Sequence, residues 1–152
     1  MTAKPWDELL GTWFSREDQD AVEWAVGCII AGGPKKILVI MGDGATGKTA
    51  TINLMMNTIR YCREESKLRV IVSHDGFLGI DERFFGIVAN NVPLKNHSER
   101  IIEVNTTGKK LPRNVFQNLT EVAATTIPGA IGSQCLATYR RLGESYFNQE
   151  NN

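Results

Sequence analysis

Residues 37–49 read ILVIMGDGATGKT, a short apolar run followed by a glycine-rich segment that ends in lysine and threonine. Its second part, residues 42–49, fits the phosphate-binding pattern G-x-x-x-x-G-K-[ST] at every constrained position. The apolar run predicts a buried parallel strand, and the apolar spacing after Thr49 predicts a helix. Glycines let successive backbone N–H groups face one anion, and a helix N-terminus favours negative charge. We therefore expect a nucleotide-binding loop at residues 42–49, which we call the phosphate loop.

Each residue type in the phosphate loop has an expected contact. Lys48 is expected to reach the β- and γ-phosphates of a nucleoside triphosphate, and Thr49 to place its hydroxyl on Mg²⁺. The alternative interpretation is an ordinary strand-to-helix turn without a ligand. The expected nucleotide-binding residues are Gly42, Asp43, Gly44, Ala45, Thr46, Gly47, Lys48, Thr49 and Ala50.

Length and charge limit the classes of protein that fit. A chain of 152 residues can bury one core and is too short for two independent domains, so we expect a single domain over residues 1–152. The 17 basic and 17 acidic residues cancel, so the chain has no overall field that attracts nucleic acid. Any nucleic-acid contact must therefore come from a local patch or a ring of subunits.

The cysteines and the apolar segments indicate in which cellular compartment the protein is expected. Cys28, Cys62 and Cys135 are odd in number and far apart in the sequence, which predicts reduced core thiols; His74 and His97 stand alone, so no structural metal is expected. No stretch approaches the roughly 20 apolar residues of a membrane span. We expect a cytoplasmic protein without a membrane partner.

Periodicity and turn residues divide the chain into a helical lead-in (1–34), a nucleotide-binding core (35–111) and C-terminal helices (112–147). The aromatic residues at 6–14 predict a short helix packed in the core, with a base-stacking platform as the alternative. A helix capped by Ser15 should follow and end at 32–34, Gly-Gly-Pro. Further elements are predicted as a helix over 49–63, strands over 68–73, 84–89 and 101–104, and helices over 112–126 and 131–147 separated by Pro128-Gly129. This alternation indicates an α/β domain with a small, mainly parallel sheet.

Three features occur in the order found in a known family. A tryptophan-bearing helix at 21–30 precedes the phosphate loop, residues 86–93 (GIVANNVP) end an apolar run in Asn and Pro, and residues 99–104 (ERIIEV) begin the next strand with Arg100. On these features, residues 10–110 resemble the ATPase domain of superfamily 3 helicases, particularly the phage and poxvirus-type primase-helicases. That family usually has Ser where this chain has Thr49.

The resemblance implies a three-layer fold of the P-loop NTPase type, with ATP and Mg²⁺ as cofactors. It also implies a homo-oligomeric ring, such as a hexamer, that acts on single-stranded or duplex DNA in phage or viral replication in the host cytoplasm. By the same resemblance, Asn91, with Asn90 as the neighbouring option, would hold the attacking water. Arg100 would neutralise charge in a neighbouring subunit's site. Turn chemistry and a solvated edge residue are the ordinary alternatives.

The acidic residues depart from the family pattern. A hydrolysing member needs an apolar strand that ends in acidic residues, one for Mg²⁺ and one for water. Asp75 follows the better of the two apolar strands, so it is the candidate Mg²⁺ ligand together with Thr49. No second acidic residue follows Asp75, however. Asp81 and Glu82 form a pair, yet only eight residues separate Glu82 from Asn91, fewer than the about ten to twelve that a parallel crossover needs. A degenerate ATPase is thus a standing alternative.

Three functions remain open on the sequence. The first is an oligomeric, DNA-acting ATPase, either a helicase or a replication accessory protein. The second is a nucleotide or small-molecule kinase, which should have a compact arginine-rich lid. The third is a non-catalytic regulatory module that keeps the phosphate loop, favoured by the incomplete acidic motif. Scattered arginines argue against the kinase: Arg60, Arg63, Arg69 and Arg83. The candidates for DNA contact, or for solvated loops, are Lys95, Asn96 and His97, and Lys109, Lys110 and Arg113.

Overall fold

A computed structural model describes residues 4–34, 36–42, 48–63, 69–73, 86–90, 101–107, 113 and 127–143. This part of the chain combines helices with parallel strands, which confirms the predicted α/β class. In chain order the elements are α1 (Lys4–Trp13), α2 (Arg16–Ala31), β1 (Ile37–Met41), α3 (Lys48–Cys62), β2 (Arg69–Ser73), β3 (Gly86–Asn90), β4 (Ile101–Asn105) and α4 (Ile127–Leu142).

Helix α2 begins and ends where the sequence predicts. The Ser15 hydroxyl accepts a hydrogen bond from the backbone N–H of Asp18 at 3.3 Å, which satisfies one of the free donors of the first turn. At the other end Gly32 adopts φ 73°, a left-handed conformation that favours glycine, and Gly33 N–H donates to the Cys28 carbonyl at 2.9 Å. Local capping chemistry therefore sets both ends of this helix.

The four strands form one parallel sheet in the order β2-β3-β1-β4. Strand β1 pairs with β3 on one side and with β4 on the other. All five residues of β1 are buried, so the strand is covered on both faces. This explains its uninterrupted apolar sequence, because a strand buried on both faces does not alternate with polar residues.

Helices α2 and α3 lie side by side on one face of the sheet. Helix α2 packs against β1 and β4, α3 packs against β2 and β3, and α4 packs against both α2 and α3. Residues 21–30 of α2 are all buried, since α1, α3, α4 and the sheet surround this helix. The main core of the described residues therefore lies around α2, next to the strand that leads into the phosphate loop.

The packing of α4 on α2 depends on a close approach at Gly27. A Cβ at this position would lie 2.8 Å from the carbonyl carbon of Cys135 and 2.8 Å from Tyr139 Cβ. Nearby, the Trp24 indole N–H donates to the Gly143 carbonyl at 3.0 Å, and the Trp24 and Tyr139 rings lie 5.4 Å apart. Contacts at the last turn of α4 thus hold it against α2.

The predicted boundary at Pro128-Gly129 was wrong. Helix α4 begins at Ile127, so both residues lie inside its first turn. Proline is tolerated there because the first N–H groups of a helix have no partner within it. The helix ends at Leu142, earlier than predicted, and is followed by Gly143 with φ 74°. The predicted helix over 112–126 lies outside the described residues except at Arg113, which is helical and exposed.

The aromatic lead-in forms α1 and packs in the core, as predicted. Trp6 and Trp13 are completely buried and Phe14 nearly so. The alternative of a base-stacking platform is wrong for these rings, because none has an accessible face. Among the cysteines, Cys28 and Cys135 are buried as predicted, whereas Cys62 is exposed at the end of α3, where the helix meets solvent.

Candidate functional site

The candidate site lies at the carboxyl edge of the parallel sheet. Met41, the last residue of β1, is in register with Asn90 of β3 and with Asn105 of β4, so these strand ends meet at one edge. After β1 the chain continues to β2 on one side, and it reaches the other side of β1 only with β4. Ligands of open parallel sheets bind beyond the carboxyl ends where the strand order reverses in this way. The chain that leaves β1 enters that position.

The described part of the phosphate loop agrees with a strand-loop-helix unit. Gly42 follows β1 directly, and α3 begins at Lys48. The first turn of α3 has no acidic residue, so its positive helix end is not neutralised from within that turn. Residues 43–47 lie outside the described residues, and Lys48, Thr49 and Ala50 are described as backbone only.

Gly42 lies against the end of β4. A side chain at this position would overlap the hydroxyl oxygen of Thr106, and its Cβ would lie 3.2 Å from both Cβ and Cγ2 of that residue. The Thr106 N–H also donates to the Met41 carbonyl at 2.8 Å, which extends the sheet by one residue. The first residue of the phosphate loop therefore leaves the sheet in contact with Thr106, a residue that no sequence motif indicates.

The tip of β4 is in turn attached to the corner between α1 and α2. Phe14 and Thr106 form an isolated antiparallel bridge. The Thr107 N–H donates to the Trp13 carbonyl at 2.8 Å, and the Thr107 hydroxyl donates to the Thr12 carbonyl at 2.9 Å. The helical lead-in is thus connected by hydrogen bonds to the strand end that contacts the phosphate loop.

Several predicted site residues lie outside the described residues: Asp75, Asp81, Glu82, Asn91 and Arg100. Their predicted roles stay predictions. In the sequence Asp75 comes two residues after β2, and β3 lies between β2 and β1 in the sheet. Neighbouring strands lie about 4.8 Å apart, so β2 runs about 10 Å from β1 across the sheet. Asn90, the alternative to Asn91, ends the strand directly beside β1.

Arg63, one of the arginines weighed for a kinase lid, has a structural contact. Its guanidinium Nη1 donates to the Ile29 carbonyl at 2.7 Å. A cation near the last carbonyls of a helix is favourable, because the helix dipole is negative there. Arg63 therefore connects the end of α3 to the end of α2, and Arg60 is exposed on α3.

A buried polar group that the sequence did not indicate lies between α1, α2 and α4. The Glu23 side chain is buried, and Gln134 Nε2 donates to its carboxylate at 2.7 Å and to the Asp7 carboxylate at 2.8 Å. Burial raises the pKa of Glu23 above its ordinary value of 4.5. The hydrogen bond from Gln134 opposes this shift, and nearby Asp7 and Asp20 add to it. Gln134 thus connects α4 to α1 and α2, and this group lies at none of the strand ends.

Comparison with known protein families, with curated proteins and with solved structures finds no match to this chain. The resemblance to superfamily 3 helicases therefore rests on the sequence motifs. Within the described residues, no group of three or more His, Cys, Asp or Glu side chains could hold a metal ion. None of the described helices combines the length and apolar character needed to cross a bilayer.

Proposed function

We propose that this domain binds ATP with Mg²⁺ through residues 42–49 and hydrolyses it as part of a superfamily 3 type helicase or replication accessory protein. The observation that carries the proposal is the position of the motif. Its first glycine follows one of the two inner strands of a parallel sheet, and its lysine begins a helix. A strand, a glycine-rich turn and a helix N-terminus in this order suit the binding of a phosphate chain.

In this proposal the phosphate loop and the N-terminus of α3 together bind the nucleotide. Backbone N–H groups of the loop and the start of α3 bind the phosphates, Lys48 meets the β- and γ-phosphates, and Thr49 contacts Mg²⁺. Asn90, the last residue of β3, or Asn91, the next residue in the sequence, orients the attacking water. The acidic contact comes from Asp75, or from the Asp81 and Glu82 pair.

A non-catalytic nucleotide-binding module is the second candidate. The separation of acidic residues in the sequence favours it, because only Asp75 follows the end of β2 closely and it has no acidic neighbour. Such a module keeps the phosphate loop and binds nucleotide without turnover. The two candidates therefore agree on binding and differ on hydrolysis.

Binding is tested by titrating Mg²⁺ and ATP into the unmodified protein and a Lys48→Ala variant in a calorimeter. Loss of the cation should weaken binding at least about tenfold, which corresponds to about 1.4 kcal/mol. The matched control is Arg60→Ala, which removes an exposed cation twelve positions along the same helix, about 18 Å away. Equal ATP affinity in folded Lys48→Ala protein would overturn the assignment.

Turnover separates the two candidates. Release of inorganic phosphate from ATP, measured with and without single-stranded DNA, should be seen for a helicase-type ATPase and stimulated by DNA. Light scattering under the same conditions should reveal a ring if Arg100 acts in a neighbouring subunit. ATP binding without phosphate release favours the non-catalytic module.

A further inference from the structure

We propose that Thr106 is a positioning residue for the phosphate loop: its side chain sets the point at which the chain leaves β1, and it acts through Gly42. This role rests on the proposed nucleotide site and adds to it a residue from the end of β4. It also gives the first glycine of the motif a second reason to be glycine, apart from the approach of a phosphate.

The steric argument begins with the space beside Gly42. The Thr106 hydroxyl oxygen occupies the position that a Cβ on residue 42 would need, and Thr106 Cβ and Cγ2 would both lie 3.2 Å from it. A contact of 3.2 Å is tight and can be relieved by a small shift, whereas removing the overlap with the hydroxyl oxygen requires Thr106 to adopt another χ1 rotamer or one of the two segments to move. Any side chain at position 42 must therefore displace either Thr106 or the start of the loop.

Thr106 is poorly able to move away, because its backbone is held on both sides. Three consecutive N–H groups donate to separate acceptors: Asn105 to the Asp18 carboxylate at 3.2 Å, Thr106 to the Met41 carbonyl at 2.8 Å, and Thr107 to the Trp13 carbonyl at 2.8 Å. Two of these acceptors lie at the corner of α1 and α2, and the third lies on β1. A displaced Thr106 backbone would strain or break these bonds, and the β-branched Thr106 side chain has few favourable χ1 rotamers, so the start of the loop is the part that yields.

A shift of the loop start matters for a nucleotide site because the phosphate-binding N–H groups follow Gly42 within a few residues. Groups that bind a ligand through several directed hydrogen bonds lose affinity when they are misplaced by about 1 Å. The side chain of Thr106 thus affects nucleotide affinity without touching the nucleotide. Its influence should be greatest when position 42 carries a side chain that meets it.

The test is a double-mutant cycle of Gly42→Ala and Thr106→Ala. Each protein is titrated with Mg²⁺ and ATP by calorimetry, well below its unfolding temperature, and is unfolded in urea without nucleotide. Gly42→Ala alone should weaken ATP binding at least about tenfold. Adding Thr106→Ala removes the overlapping oxygen and Cγ2, and should restore at least about a third of that loss on a logarithmic scale. Thr107→Ala is the matched control, since that side chain contacts Thr12 instead, and it should restore nothing.

Affinity and stability together decide the outcome. If Gly42→Ala weakens ATP binding by the same factor with and without Thr106→Ala, the positioning role is refuted while the nucleotide site stands. If coupling is found in the free energy of unfolding and not in the ATP dissociation constant, Thr106 is only a packing residue and the role is again refuted. If the unmodified protein binds no ATP, both the proposed function and this inference fail.

Discussion

The close contact between α2 and α4 at Gly27 allows a stability prediction from geometry. Replacing Gly27 with alanine introduces a Cβ that would lie 2.8 Å from the Cys135 carbonyl carbon and 2.8 Å from Tyr139 Cβ. The first of these is a backbone atom of the facing helix, so rotation of a side chain cannot relieve the contact. Helix α4 as a whole must move away from α2.

Two opposing contributions set the size of the effect. Alanine is a better helix former than glycine by about 1 kcal/mol. Forcing a methyl group into a packed interface costs about 1 to 3 kcal/mol. We expect the upper end of that range, because α4 is held in place by the Trp24 hydrogen bond to Gly143 and by the contact of Arg141 with Asp20 at 3.0 Å. The net result is a loss of about 2 kcal/mol in the free energy of unfolding.

Urea unfolding followed by circular dichroism measures this loss, and thermal unfolding should show a decrease in melting temperature of about 4 to 8 °C. Gly11→Ala is the control. Gly11 lies within α1 and a Cβ there meets nothing within 4 Å, so the same substitution should stabilise the protein by about 0.5 to 1 kcal/mol. The two glycines thus have opposite expected signs.

The sign of the difference is what tests the packing. If Gly27→Ala is as stable as Gly11→Ala, the close approach of α2 and α4 is wrong, and with it the position of α4 over the core. A loss in Gly27→Ala that disappears when the chain is truncated after Leu142, which removes Gly143, would instead show that the Trp24 contact with Gly143 holds α4 in place.

Two further predictions concern the helix contacts. Burial raises the folded-state pKa of Glu23 above 4.5, so the folded protein binds more protons than the unfolded chain, and stability falls as pH rises from about 4.5 through the folded-state pKa. Glu23→Gln keeps an acceptor for Gln134 and cannot ionise. In urea unfolding, the stability of this variant relative to the unmodified protein should therefore increase over this pH window. A stability difference that does not change with pH would contradict the raised pKa of Glu23. Arg63→Met removes the hydrogen bond to Ile29 and should lower the free energy of unfolding by about 1 to 2 kcal/mol. The control Arg60→Met, at an exposed position, should change the free energy of unfolding little. Equal effects of the two substitutions would contradict the helix-capping role of Arg63.

Local signals in the sequence determined much of the described fold. The ends of α2 followed from Ser15 and Gly32, and β1 and α3 followed from an apolar run and apolar spacing. The helix ends depend on interactions within about four residues of the chain, and the strand and the helix have contiguous patterns that a single sequence displays directly. The motif at residues 42–49 is also contiguous, so it can be recognised without a structure, and its role in nucleotide binding stays a prediction.

The error at Pro128-Gly129 has a related cause. Both residues are common in turns, but proline is equally suited to the first turn of a helix, and the local sequence did not distinguish the two. In the structure Pro128 and Gly129 are helical, and the helix that contains them packs on α2 and α3. The exposure of Cys62 likewise depended on where α3 ends relative to the core.

Only the tertiary structure decided which distant residues meet. The strand order β2-β3-β1-β4 brings Thr106 to Gly42, and the crossing of α4 over α2 brings Gln134 to Glu23. Each of these pairs is separated by more than sixty positions, and no periodic or capping signal links its members. Their contact results from the packing of whole elements, in which sheet order and helix crossing are set by the summed burial of many side chains.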